Sequence, residues 1–200
     1  MDAAEEPLIL PDATGWRAWL DLHEDDTPQG IWLVLARKGR PSPTTLDYDA
    51  ALAEALCSGW IDAMSRGRDA DTRLQRFTPR RARSTWSVRN VGIVEELIAA
   101  GRLRPRGLAE VERARADGRW EAAYAGSRTI AVPDDLATAL AASPRAAANF
   151  ELLTSQNRYA LLFRLHQVKQ QATRERRIAG YVAMLERGET IYPQQRKLQG

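Results

Sequence analysis

The sequence predicts an α+β fold: a small three-stranded, antiparallel-containing sheet with a helix in the N-terminal half, followed by a helical C-terminal half. Three observations carry the prediction. A short apolar run over residues 31–36 reads as a buried strand. Runs at 60–64 and 73–77 flank the polar stretch 67–71 and read as an antiparallel hairpin. From Ser87 onward, helix start and stop signals succeed one another.

Each element has a local cause. Asp12 is a good N-cap for a helix whose face carries Trp16, Trp19, Leu20 and His23. Asp25-Asp26-Thr27-Pro28 breaks that helix, and Gly30 leads into the first strand. After the loop 39–43, Tyr48, Ala51, Leu52, Ala55 and Leu56 recur at helical spacing and predict a helix over 47–57. Strand, helix and hairpin together make a β-α-β-β unit. Ser87 caps a helix to Ala100, with Val91, Val94 and Ile98 inward and Gly101 as its stop. Pro105 opens the next helix, which ends near Gly118. Residues 120–124 form a short turn. Asp134 caps a helix to Ala141, and Ser143-Pro144 starts another. Two longer helices, 156–170 and 172–187, follow, the last with a stripe of Ile178, Tyr181, Val182 and Leu185. The expected organisation is one domain over 1–200: an α/β part at 12–86, a helical part at 87–188 and a loose polar tail at 189–200.

Composition narrows the function classes. With 44% hydrophobic residues the chain supports a core without a metal or disulfide staple. The single cysteine, Cys57, excludes an internal disulfide and suits a reducing compartment. The first residues include Asp2, Glu5 and Glu6, the wrong charge for a signal peptide, and no apolar run spans a bilayer. A cytoplasmic location without membrane insertion is the expectation. Residues 1–65 carry 4 basic and 12 acidic side chains, whereas residues 66–119 carry 14 and 7. An arginine-rich middle suits an anionic partner or simply packs beside the acidic beginning.

Much of the chemistry of common enzymes lacks a sequence basis here. Neither phosphate-loop pattern occurs, nor a Gly-x-Ser-x-Gly elbow. His23 and His166 have no neighbouring ligands, so no metal and no cofactor is expected. Two segments stand out. In Cys57-Ser58-Gly59-Trp60-Ile61-Asp62, a strand from Trp60 puts Trp60 and Asp62 on one side. In residues 77–90, Arg80, Arg81, Arg83, Ser84, Thr85 and Ser87 gather before a helix start, where unpaired N–H groups and the dipole favour an anion. Each has a structural alternative: Cys57 as a buried hydrophobe, Ser87 as an internal cap, and Asp62 paired with Arg80 or Arg81 across the hairpin.

These same segments resemble the YdeI/OmpD-associated, bacteriocin-protection family. The resemblance rests on Leu56-Cys57-Ser58-Gly59-Trp60-Ile61-Asp62, Phe77-Thr78-Pro79-Arg80-Arg81 and Ser84-Thr85-Trp86-Ser87 with Asn90. It continues through Gly101-Arg102-Leu103, Gly107-Leu108, Asp117-Gly118-Arg119-Trp120 with Tyr124, Pro133-Asp134-Asp135-Leu136, and Thr173-Arg174 with Arg176-Arg177-Ile178, from about Trp16 to Gly188. Ser58 stands where the family often has phenylalanine. Val168-Lys169-Gln170 and Ala172 depart from its closing motif. The resemblance implies a protective protein, in bacteriocin, antibiotic or stress resistance, and carries over no catalytic residue.

Three functions remain open on sequence. The first is a binding protein that holds a small anionic or peptidic ligand, with Trp60, Asp62, Arg80, Arg81, Ser84, Trp86, Ser87 and Asn90 as ligand-binding residues. The second is an enzyme in the same cleft, with Asp62 as base or Cys57 as nucleophile. The third is a nucleic-acid binder using the arginines of 66–119. Glu95, Glu96, Glu110 and Glu112 interrupt that charge and make nucleic acid the weaker partner.

Overall fold

A computed structural model describes residues 6–127 and 129–199. The chain divides into two compact units, 1–123 and 124–200. The two helices that follow the hairpin belong to the first unit, where they pack on the helix that precedes the hairpin.

The first unit contains α1 (Ala13–His23), β1 (Ile31–Ala36), α2 (Tyr48–Cys57), β2 (Trp60–Gly67), β3 (Thr72–Pro79), α3 (Val88–Ala99) and α4 (Pro105–Ala116). The sheet order is β1-β3-β2, with both neighbouring pairs antiparallel. The hairpin register shifts between Asp62 and Ser65, a bulge that lets β2 run out into solvent beyond its first residues. The free edge of β1 is covered by a parallel bridge from Leu8 to Leu33.

Asp12 and Ser87 cap their helices as the sequence indicates, and Asp47, expected as a helical residue, is the cap of α2. Asp12 accepts from the Gly15 amide (2.9 Å), Asp47 from Ala50 (2.9 Å) and Ser87 from Asn90 (3.1 Å). Gly101 ends α3 at φ +65°, and the next amide closes back on the Leu97 carbonyl.

The core lies between the sheet and the α1 and α2 helices. It joins Trp16, Leu20, Leu33, Leu35, Leu52, Leu56, Trp60 and Phe77, all essentially without solvent exposure. Trp16, Trp19 and Trp60 meet edge-to-face or stacked at centroid distances of 5.3–6.2 Å. Truncating one of the core leucines to alanine costs roughly 2–5 kcal/mol. The α4 helix reaches this layer through Gly107. A Cβ there would stand 2.3 Å from the Cys57 carbonyl oxygen, so only glycine permits the approach. Along α3 the buried residues are Asn90, Val94 and Leu97, while Ile98, expected inward, is 36% exposed. Leu97 completes the stripe one position earlier than the sequence suggests.

The second unit is helical: α5 (Asp134–Ala141), α6 (Pro144–Glu151), α7 (Ser155–His166) and α8 (Gln171–Glu186). Asp134, expected as a cap, is the first helical residue behind Pro133. Thr154 caps α7 through the Asn157 amide. Leu136, Leu140, Phe150, Leu161, Leu162, Leu165, Ile178 and Leu185 form the core.

The segment after α8 corrects the expectation of a loose tail. Asn157 is 1% exposed and exchanges two backbone hydrogen bonds with Tyr192, at 2.8 and 3.0 Å. Asn149 is 0% exposed. It donates to the Leu185 and Gln199 carbonyls and accepts from the Gln199 amide (2.7 Å). Buried amides must be paired, and this strap supplies the partners. Ile191 and Leu198 add apolar contacts to the core. Among the described residues no helix is long and apolar enough to cross a membrane.

Candidate functional site

The residues singled out between Arg80 and Asn90 come together as a folded joint. Arg80 lies with its guanidinium carbon 3.6 Å from the Trp86 ring centroid and donates to the Thr85 carbonyl (2.9 Å). Ser84 accepts from the Arg81 amide through its hydroxyl, and from Arg119 through its carbonyl. Ser87 caps α3, and Asn90 is buried beneath that turn. Trp86 packs on Trp120 at 4.8 Å and is only 2% exposed.

Trp60 is fully buried against α1, and its indole donates to the Glu24 carbonyl (3.3 Å). Trp60 and Asp62 do face the helix side of the sheet, but neither tryptophan offers a surface to a ligand. Arg80 and Arg81 line a cleft of about 160 Å³ with Glu24, Asp25 and Arg106. Arg106 is bound there to Asp25 and to the Glu24 carbonyl. Asp62 sits opposite Phe77 in the hairpin, and its carboxylate takes the Tyr48 hydroxyl (2.9 Å).

That bond leads to a larger concavity the sequence did not reveal. A shelf of about 540 Å³ is lined by Arg37, Lys38, Asp47, Tyr48, Asp49 and Arg73. The end of β1, the first turn of α2 and the start of β3 supply these side chains. Arg73 and Arg89 lie 4.9 and 5.2 Å from the Tyr48 ring centroid. Burial, reinforced by the Asp62 carboxylate, pushes the Tyr48 pKa up to about 12. Tyr48 therefore remains a neutral hydroxyl donor at physiological pH.

The carboxylates of the shelf are already engaged. Asp47 caps α2, and Asp49 binds Arg89 at 2.7 Å. Arg37 donates to the Asp69 and Thr72 carbonyls. Lys38 and Arg73 have no carboxylate within ion-pair distance among the described residues. The sequence signals Tyr48 only as one apolar position of α2, and Arg73 only as a strand residue. Their meeting depends on the first turn of α2 lying against the start of β3.

Cys57 is 1% exposed. Burial, then the nearby Glu54, pushes its thiol pKa up, the reverse of an activated nucleophile. Among the described residues no three His, Cys, Asp or Glu side chains gather to hold a metal.

Comparison with known families divides the chain where the structure does. Residues 8–110 match the family described as Domain of unknown function (DUF8412). Residues 129–188 match the family described as Bacteriocin-protection, YdeI or OmpD-Associated. The second match is narrower than the resemblance suggested. Pro133–Leu136 and Thr173–Ile178 lie inside it, whereas the segments from Leu56 to Leu108 fall within the first match. No curated protein and no solved structure matches the chain significantly.

Proposed function

Because the chain belongs to the DUF8412 family through residues 8–110 and carries a YdeI/OmpD-associated segment at 129–188, we propose that it is a cytoplasmic binding protein of protective type whose first unit holds a small anionic ligand. One observation carries the ligand class. Lys38 and Arg73 face a concavity of about 540 Å³ with no carboxylate of the described chain to pair with them. A carboxylate or phosphate oxygen bound there gains two charge-assisted contacts. The Tyr48 hydroxyl, held by Asp62, edges the same shelf. In this reading Asp62 acts by orienting Tyr48. Arg80, Ser84, Trp86, Ser87 and Asn90 keep the hairpin and α3 in register, and Trp60 anchors the floor beneath β2.

The alternatives draw less support. The raised pKa of the buried Cys57 thiol argues against a nucleophile. Arg102, Arg104, Arg106, Arg113 and Arg119 are committed to Glu54, Asp21, Asp25, Glu110 and Asp117, which argues against a phosphate-binding stripe.

Calorimetric titration with inorganic phosphate and with citrate tests the proposal. Both should bind at millimolar concentration or below, and more weakly as salt is added. Arg73→Gln should cost about 1.5 kcal/mol of binding, the low end for a charged hydrogen bond at a part-exposed site. Arg81→Gln should cost nothing. If neither anion binds, or if Arg81→Gln rather than Arg73→Gln abolishes binding, the shelf is not the site.

A further inference from the structure

The second unit has a concavity of its own, of about 540 Å³, along one face of α7. Leu161, Leu162 and Leu165 on the other face enter the core. Solvated helix faces are usually polar. This one instead carries Tyr159, Ala160 and Phe163, with Gln156 and Arg164 at its ends. Tyr159 and Phe163 stack at 5.5 Å and 27°, and Tyr124 meets Phe163 edge-on at 4.8 Å. Tyr159 and Phe163 stand outside the core cluster of this unit. Ala160, the small residue between them, leaves the space open.

The rim of the groove is cationic. Arg164 reaches the Tyr192 hydroxyl at 3.4 Å and stands 5.8 Å from that ring. Arg177 donates to the Arg164 carbonyl (2.7 Å), which brings a second guanidinium to the same end of α7. Neither arginine has a carboxylate within ion-pair distance among the described residues. Burial raises the pKa of the neighbouring Tyr181 hydroxyl against the pull of Arg177 and Arg164, consistent with positive charge gathered here. The wall is also fixed in advance. Tyr192 is tied through its backbone to Asn157, a residue of the same helix.

We infer that this groove binds a small planar aromatic carboxylate, with its ring on Tyr159 and Phe163 above Ala160 and its carboxylate on Arg164. The volume lies within the roughly 300–1,000 Å³ of small-molecule pockets. Offset and edge-on rings leave aromatic faces that a flat ligand can cover. A guanidinium fork suits a carboxylate better than a neutral group. A wall already held by hydrogen bonds spares the ligand the entropy of ordering it.

The probe is 2-naphthoate, with uncharged 2-naphthylmethanol as control, titrated calorimetrically into the full chain. One naphthoate per chain should bind. Ala160→Phe, which fills the groove, should abolish binding while the far-UV circular dichroism melt is kept. Should that variant unfold, Tyr159→Ser carries the same expectation from the groove surface. Arg164→Gln should weaken naphthoate about tenfold and leave the alcohol unchanged. Arg73→Gln in the first unit should leave naphthoate binding intact, which separates this site from the anion shelf. No heat at millimolar naphthoate, unchanged binding in the groove variants, or equal affinity for acid and alcohol would each overturn the assignment.

Discussion

Among the described residues, the buried polar groups of the first unit include charges, Glu54, Arg80 and Glu110, whereas those of the second are the neutral amides of Asn149 and Asn157. Glu54, on the buried face of α2, receives Arg104 at 2.9 Å and Arg102 as well, while Arg104 also binds Asp21 and Ser58. In the second unit Asn149 and Asn157 occupy the equally buried positions and bind the strap after α8. The two solutions fail differently. Loss of one member of an ion network leaves a charge stranded, whereas loss of an amide leaves dipoles stranded, a smaller penalty. The first unit should therefore be the more sensitive to conservative substitution, and the second the more dependent on chain connectivity.

The largest expected effect tests the ion network. Glu54→Gln keeps the shape but takes the buried carboxylate from Arg102 and Arg104, leaving Arg104 only the half-exposed Asp21 as a counter-charge, and should cost the first unit about 3 kcal/mol. All six tryptophans precede residue 124, so tryptophan emission during urea unfolding reads the first unit by itself. A loss below about 1 kcal/mol would mean that the network is hydrated and the contrast overstated.

Asn157→Ala comes next. It strands the Tyr192 amide and carbonyl, and should cost the second unit roughly 1–3 kcal/mol. Limited proteolysis should then cut near Gly188 to Tyr192 well before the helices. A protease-resistant strap in this variant would shift the weight to Ile191 and Leu198.

The smallest effect concerns pH. The folded pKa of Tyr48, about 12, exceeds its ordinary value of 10.0. A group raised in this way contributes stability that is complete below the ordinary value and lost as pH climbs through the folded one. The thermal midpoint of the first unit should therefore fall between pH 10 and about 12, and Tyr48→Phe should flatten that part of the profile. An unchanged slope in Tyr48→Phe would assign the alkaline loss to other groups.

The same contrast explains what the sequence discloses. The α2 helix, the hairpin and the caps at Asp12 and Ser87 depend on neighbours within a few residues, so periodicity and side-chain type reveal them. The site does not work that way. Arg80 and Trp86 look like ligand-binding residues, but each becomes the other's partner once the joint folds, with Trp120 closing over Trp86. Tyr48 and Arg73 look ordinary because each needs a residue from another element to form the shelf. Asn149 and Asn157 are the least legible of all. A buried asparagine and a solvated one are the same letter, and Gln194, Arg196 and Lys197 make the strap read as solvent-exposed chain.

The strap has one further consequence. The helical face that floors the groove in the second unit lies inside the segment shared with the bacteriocin-protection family, residues 129–188, whereas Tyr192 and Ser127 stand on either side of it. Floor and walls thus come from different stretches of the chain. Exchanging a few residues beyond α8 would alter which molecules the groove accepts without disturbing a single helix, and one helical frame can serve many appetites.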